Sequence, residues 1–146
     1  MSAEKIIADF KKGNFKPIYW LEGDEPYFID KVVDYAEHKI LTESEASFNL
    51  TIFYGKDANW ADVINACKRY PMFAEKQVVL LKEAQQMKDI DWIESYIDNP
   101  LHSTILVVSY KDKKVDARKK FAKTLKTVGE LFSTKKLYEN QLPDWA

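Results

Sequence analysis

The residues best suited to chemistry lie at one turn, where three carboxylates surround a single glycine: Glu22, Gly23, Asp24 and Glu25. The apolar residues 18–21 precede this turn and predict a buried strand, and Pro26 stands at the start of a predicted helix. A nucleotide-binding α/β domain carries its glycine-rich phosphate loop at such a strand-to-helix turn. The same carboxylates could alternatively serve as general acids or bases.

The residue types at this turn argue against a bound nucleotide. The turn has one glycine and no Gly-Lys-Ser/Thr sequence, so the lysine and hydroxyl that hold phosphates and Mg²⁺ are missing from it. A carboxylate about 5 Å from a phosphate charge repels it by roughly 3 kcal/mol at an effective dielectric constant near 20. Asp24 at the helix start would itself satisfy the free amides and the helix dipole. We therefore expect a nucleotide-binding fold without a functional phosphate loop or a cofactor, in which capping explains Asp24.

The other reactive side chains predict neither catalysis nor metal binding. His38 and His102 lie far apart, without the spacing of metal ligands, and are expected on the surface. Cys67 lies among apolar residues at helical spacing and is expected in the core. No serine stands in a Gly-x-Ser-x-Gly turn. The sequence thus predicts no catalytic residue and no metal site.

Composition indicates one domain that is expected to be soluble. The chain has 146 residues, of which 46% are hydrophobic, and a formal net charge of −1, so it has no overall attraction to nucleic acid or to an anionic membrane. The single cysteine excludes an internal disulfide and fits a reducing compartment. No apolar run approaches the roughly 20 residues of a membrane span, and no signal peptide is visible. We expect a cytoplasmic protein without a membrane partner.

Strands and helices alternate along the sequence. Helices are predicted at residues 2–12, 26–40, 89–98 and 116–128, and another between Asn59 and Pro71. Strands are predicted at residues 18–21, 48–54, 77–82, 104–110 and 130–133, with a polar connection at 42–47. The strands are nearly continuous apolar runs, which is typical of a parallel sheet covered on both faces. We expect a three-layer α/β fold with a mostly parallel, five-stranded sheet flanked by helices.

A basic segment at residues 111–126 contains eight basic and two acidic residues. It could be a patch that contacts phosphates or a protein, which would make the chain a DNA-binding module. It could equally be the solvated face of a helix that packs through Phe121 and Leu125, and the balanced overall charge favours this interpretation for the isolated domain. The candidate patch consists of Lys113, Lys114, Arg118, Lys119, Lys120 and Lys123.

The turn at residues 69–76 holds two large apolar side chains, Met72 and Phe73. They either fold back into the core or project towards a partner, and composition alone favours the core. If both were buried in a partner's pocket, they would contribute roughly 3–6 kcal/mol. That is a large share of the roughly 8 kcal/mol of a micromolar complex.

Three segments, taken in order, resemble the delta subunit family of the bacterial DNA polymerase III clamp loader. The first is PIYWLEGDEPYFI at residues 17–29, which matches the family's hydrophobic strand followed by Gly-x-Glu. The second is PMFAEKQVVLL at residues 71–81, which resembles its hydrophobic-Phe pair followed by a strand, and the third is DKKVDARKKF at residues 112–121. The resemblance extends from residue 17 to about residue 125, which is most of the chain.

This resemblance implies an AAA+/RecA-like N-terminal domain without ATPase activity at residues 1–138, followed at 139–146 by the start of a linker to a further helical domain. It implies a non-catalytic subunit of a DNA polymerase (nucleotidyltransferase) holoenzyme that binds the sliding clamp, the beta subunit, and helps open it for loading onto DNA. Met72 and Phe73 match the family's pair that enters the clamp's hydrophobic pocket, although family members often carry leucine at the first position. Other loader subunits would bind through domains missing here, and DNA only indirectly.

A third class of function stays open beside the clamp-binding and DNA-binding ones. An α/β fold places small ligands at the carboxyl ends of its strands, so the chain could be a small-molecule enzyme that uses this edge of the sheet.

Overall fold

A computed structural model describes residues 2–134. Within them, five parallel strands form one sheet in the order β2-β3-β4-β1-β5. The strands are β1 (Ile18–Gly23), β2 (Leu50–Tyr54), β3 (Gln77–Lys82), β4 (Thr104–Lys111) and β5 (Glu130–Thr134). The helices are α1 (Ala3–Lys12), α2 (Pro26–Lys39), α3 (Glu43–Asn49), α4 (Trp60–Cys67), α5 (Glu94–Ile97) and α6 (Lys120–Val128), with 3₁₀ segments at Ala84–Gln86 and Ile90–Ile93. The predicted five-stranded sheet is confirmed.

Apolar side chains cover both faces of the sheet, because neighbouring strand residues point in opposite directions. Tyr19 and Leu21 face the layer of α1 and α2, whereas Trp20 faces the layer of α4, α5 and α6. Strand β1 lies between β4 and β5, and Leu21 pairs in register with Phe132. The predicted three-layer arrangement is therefore confirmed. Polar groups must gather at the two ends of the strands.

The predicted connection at residues 42–47, with a strand from Phe48, is wrong. This stretch forms α3, and β2 begins only at Leu50. The helix is started by a capping box, in which the Glu45 amide donates to Thr42 Oγ1 at 3.2 Å and the Thr42 amide donates to Glu45 Oε1 at 2.9 Å. The aromatic and β-branched residues after this point favoured a strand in the sequence pattern, but the cap decides the local structure.

Two predicted helix boundaries shift in the structure. The helix expected to end at Pro71 ends at Cys67, and the last helix begins at Lys120 rather than Asp116. Asp116 instead forms a turn, in which its Oδ1 accepts from the Arg118 amide at 2.9 Å. The predicted boundary between residues 1–138 and 139–146 lies outside the described residues. Among the described residues, no helix has the length and apolarity needed to cross a lipid bilayer.

The capping box gives a stability prediction. Thr42→Ala removes the side-chain acceptor for the Glu45 amide, and we expect it to lower the free energy of unfolding by about 1 kcal/mol in urea denaturation. Ser47→Ala is the matched control, because the Ser47 hydroxyl only donates to a carbonyl of its own helix. We expect it to change stability by less than about 0.5 kcal/mol. Equal effects of the two changes would contradict the role of the cap.

Candidate functional site

The strand-to-helix turn after β1 is filled by the chain itself. Glu22 is 3% exposed, and its carboxylate accepts from the Val115 amide at 2.9 Å and from Ser133 Oγ at 2.8 Å. The Gly23 amide donates to the Lys113 carbonyl at 3.2 Å. A Cβ on Gly23 would lie 2.3 Å from the Thr134 carbonyl oxygen, and the φ of Gly23 is +118°, so both space and conformation require glycine. The place of a phosphate loop is thus occupied by residues 113–115 and the end of β5.

The helix after this turn is capped by Glu25, and the prediction that Asp24 caps it is wrong. The Tyr27 amide donates to Glu25 Oε1 at 3.1 Å, and the Glu25 amide donates to Thr134 Oγ1 at 3.0 Å. Asp24 is exposed. The three carboxylates therefore have separate environments: one is buried and bonded, one caps a helix and one faces solvent. They do not form a pair of interacting acids.

The two histidines lie on the surface and Cys67 lies in the core, as predicted from the sequence. His38 and His102 are exposed, and His38 Nδ1 lies 3.2 Å from Asp34 Oδ1 in its own helix. Cys67 is fully buried, and this burial raises the pKa of its thiol to about 12, so the thiol stays protonated and unreactive at neutral pH. Within residues 2–134, no three side chains of His, Cys, Asp or Glu come together as a metal site.

A cleft of about 290 Å³ lies between α2 and the carboxyl ends of β3 and β4. Its two lysines are already paired with carboxylates. Lys82 Nζ lies 2.6 Å from Glu37 Oε1, and Lys111 Nζ lies 2.7 Å from Asp30 Oδ1 and 2.8 Å from Glu83 Oε2. The lysines of this cleft are therefore held in ion pairs, and the cleft itself gives no support to the small-molecule enzyme hypothesis.

The loop at residues 68–76 lies at the opposite, amino-terminal edge of the sheet, between α4 and β3. Met72 is 54% exposed and Phe73 is 87% exposed, so the composition-based preference for the core is wrong at both positions. Phe73 also has a φ of +57°. A positive φ is uncommon for any residue other than glycine, and especially for a bulky one. Such a conformation persists only where the surrounding structure holds it.

Two buried amide side chains hold the backbone of this loop. Asn49 is 2% exposed, and it both donates to the Met72 carbonyl and accepts from the Met72 amide, each at 2.7 Å. At the end of the loop, Gln77 Nε2 lies 3.1 Å from the Ala66 carbonyl and also donates to the Arg69 carbonyl. The loop backbone is therefore tied to the core while its apolar side chains point outwards.

Sequence reasoning missed Asn49 and Gln77 as residues of this site. The available signal was weak: each is an amide residue at the start of an apolar stretch, where a buried polar side chain must find partners. Met72, the loop partner of Asn49, lies 23 residues away along the chain, and only the fold brings the two together.

The loop is part of a larger exposed apolar patch. Phe48, at the end of α3, is 63% exposed, and its ring lies edge-to-face with that of Phe73 at a centroid distance of 5.9 Å. Tyr70 is also largely exposed. The exposed loop patch thus consists of Phe48, Tyr70, Met72 and Phe73. Several exposed large apolar side chains on one loop and the adjoining helix end are typical of a binding surface for another protein.

Three of the six candidate patch residues, Arg118, Lys119 and Lys120, pair with neighbouring acids. Lys119 Nζ lies 3.3 Å from Asp91 Oδ2, and Lys120 Nζ lies 4.0 Å from carboxylate oxygens of both Glu94 and Asp98. The six predicted patch residues lie in the loop before α6 and on its first turns: Lys113, Lys114, Arg118, Lys119, Lys120 and Lys123.

The apolar face of α6 also fits the solvated-helix interpretation. Phe121 and Leu125 are buried against the sheet, and Arg118 pairs with Asp116 at 3.1 Å within its own turn. The part of the chain that the structure describes gives Lys114 and Lys123 no ion pair. A direct role of this segment in DNA binding stays a prediction.

The fold and the two edges of the sheet define a class of protein. It is an α/β domain of the nucleotide-binding type in which the turn after β1 is filled by the chain itself and an apolar loop is exposed at the opposite edge. A family model described as DNA polymerase III, delta subunit, matches residues 19–135. The chain belongs to the DNA polymerase III delta subunit family, as the sequence motifs predicted. The AAA+-like fold expected from that resemblance is likewise confirmed.

Individual relatives agree with this assignment. DNA polymerase III subunit delta of Bacillus subtilis (strain 168) is 27% identical over 150 residues, covering 96% of this chain and 43% of that protein. The solved structure of the B. subtilis DNA clamp loader delta protein superimposes with a TM-score of 0.83 at 25% identity, covering 98% of this chain and 45% of that one.

A more distant structure shares the fold alone. It is a DNA polymerase III gamma subunit-related protein of Thermotoga maritima, with a TM-score of 0.58 and 12% identity, and the match covers 99% of this chain and 48% of that one. The chain thus spans less than half the length of each of these relatives.

The filled turn predicts how substitutions of Glu22 behave. Glu22→Ala leaves the buried Val115 amide without its acceptor, and we expect a loss of about 1–3 kcal/mol of unfolding free energy in urea denaturation at pH 7. Glu22→Gln is the matched control, because its amide can accept from Val115 and donate to Ser133 Oγ. We expect it to retain most of the stability. A Glu22→Ala chain as stable as the parent would show that the carboxylate does not hold the turn closed.

Proposed function

We propose that this chain is a non-catalytic, clamp-binding domain of the DNA polymerase III clamp loader, acting in the cytoplasm. It binds the ring-shaped sliding clamp and helps open it for loading onto DNA during replication. The observation that carries this proposal is the pair of exposed apolar side chains, Met72 and Phe73, on a loop whose backbone is fixed by buried amides. Membership of the delta subunit family supports it.

The energetics favour a specific protein partner. Burying both side chains in an apolar pocket contributes roughly 3–6 kcal/mol, which is a large part of a micromolar affinity of about 8 kcal/mol. The fixed loop backbone reduces the entropy lost on binding, because fewer conformations have to be given up. Methionine has a similar volume to leucine and adapts its shape to the pocket, so Met72 suits the role of the family's leucine.

The position of the pair separates clamp binding from nucleotide chemistry. The loop precedes β3 at the amino-terminal edge of the sheet, whereas the filled phosphate turn follows β1 at the carboxyl edge. In this proposal the domain hydrolyses nothing, and other loader subunits supply ATP hydrolysis. It associates with other clamp-loader subunits, and it reaches DNA through the assembled complex.

The clamp-binding proposal predicts a separation of affinity from stability. Met72→Ala combined with Phe73→Ala is expected to weaken binding to the cognate sliding clamp at least tenfold in surface plasmon resonance. The thermal midpoint should barely move, because both side chains are already in solvent. Trp92→Ala is the matched control: it removes an exposed aromatic side chain beside Gly55, at the carboxyl edge, and should leave clamp binding unchanged.

Two outcomes would count against the proposal. Undiminished clamp binding by the double variant would exclude Met72 and Phe73 as the contact residues. A large drop in the thermal midpoint would instead identify them as residues that stabilise the fold.

A further inference from the structure

The buried side chain of Asn49 joins α3 to the exposed loop. We propose that Asn49 is the positioning residue of the clamp-binding loop and that it sets Phe48 beside Met72 and Phe73 as a third contact residue of one surface. This inference rests on the proposed function of Met72 and Phe73.

The side-chain amide of Asn49 fixes the loop by bonding to both backbone groups of Met72. Its Oδ1 accepts from the Met72 amide and its Nδ2 donates to the Met72 carbonyl, each at 2.7 Å. That carbonyl belongs to the peptide bond between Met72 and Phe73, so its orientation is set by the contact. The same Nδ2 lies 3.0 Å from the Glu45 carbonyl, four residues earlier in α3. One side chain therefore ties the helix end to the loop tip.

The backbone of Phe73 explains why such a contact is needed. A φ of +57° is unfavourable for an aromatic residue, and a free loop would leave that conformation. The fixed peptide before Phe73 opposes this change. Because the ring of Phe73 then projects from the loop tip rather than folding back, its 87% exposure follows from the Asn49 contact.

Phe48 precedes Asn49 in the chain, so the same contact sets its distance from the loop. Its exposed ring lies edge-to-face with that of Phe73, at an interplanar angle of 69°. Adjacent apolar groups around a central pair exclude water from it when a partner binds, which strengthens the central contacts. The surface thus fits a partner protein whose apolar pocket accepts Met72 and Phe73 and whose pocket rim covers Phe48.

The test measures dissociation constants for the cognate sliding clamp with the whole chain. Asn49→Ala is expected to weaken binding about tenfold, although no contacting side chain is removed. Asn49→Asp keeps the acceptor for the Met72 amide but places a carboxylate oxygen against the carbonyls of Met72 and Glu45. We expect it to weaken binding at least as much as Asn49→Ala.

A double-mutant cycle distinguishes positioning from general destabilisation. Because Asn49 acts through Met72 and Phe73, Asn49→Ala should weaken binding less than twofold further when Met72→Ala and Phe73→Ala are already present. Multiplicative effects of the two changes would overturn the positioning role. Phe48→Ala is expected to weaken binding about fivefold, with Trp92→Ala as the unaffected control, and unchanged binding by Phe48→Ala would remove Phe48 from the surface.

A measurement on the unaltered chain covers the case in which Asn49→Ala does not fold. Amide hydrogen exchange followed by NMR should show protection of the Met72 amide, despite its exposed side chain, because this amide donates to Asn49. An unprotected Met72 amide would overturn the proposal. Loss of binding by Met72→Ala with Phe73→Ala, but not by Asn49→Ala, would reject this inference alone. Binding that survives the former would reject the proposed function itself.

Discussion

A parallel sheet that is buried on both faces restricts where this domain can be polar. Residues of β1 and β4 alternate between two apolar layers. Side chains that bind a ligand or a partner are therefore expected at the ends of the strands. The two ends differ here. At the carboxyl end, Glu22 and the end of β5 close the turn that would receive a phosphate. At the amino end, Met72 and Phe73 face solvent.

Both ends rely on the same physical device, which is a buried polar side chain that satisfies distant backbone groups. Glu22 accepts from an amide 93 residues away in the chain, and Asn49 bonds to both backbone groups of a residue 23 positions away. A buried polar group is costly without partners and orders its surroundings when all of its bonds are made. At the carboxyl edge, the bonds of Glu22 close the turn after β1. At the amino edge, the bonds of Asn49 hold the loop that exposes Met72 and Phe73.

The fold was largely predictable from the sequence, and the reasons are local. Continuous apolar runs such as residues 104–110 specify buried parallel strands, and the carboxylates at residues 22–25 indicate a turn without phosphate. The local prediction failed at α3, where a capping box outweighed the β-propensity that begins at Phe48. The exposure of Met72 was not predictable from composition, because hydrophobicity does not specify which apolar residues a fold can cover.

The parts of the site that escaped prediction all depend on contacts between distant residues. Asn49 reads as an ordinary polar residue until α3 and the loop are brought together, and the positive φ of Phe73 has no sequence signature. The contacts of Asn49 also bear on how the proposed clamp binding would be regulated. Within residues 2–134, the filled turn after β1 and the loop patch lie at opposite edges of the sheet, and Asn49 holds the loop backbone. Under the proposed function, regulation of clamp binding would act by covering or uncovering this surface rather than by remodelling it, because the contacts of Asn49 include no residue of the carboxyl edge.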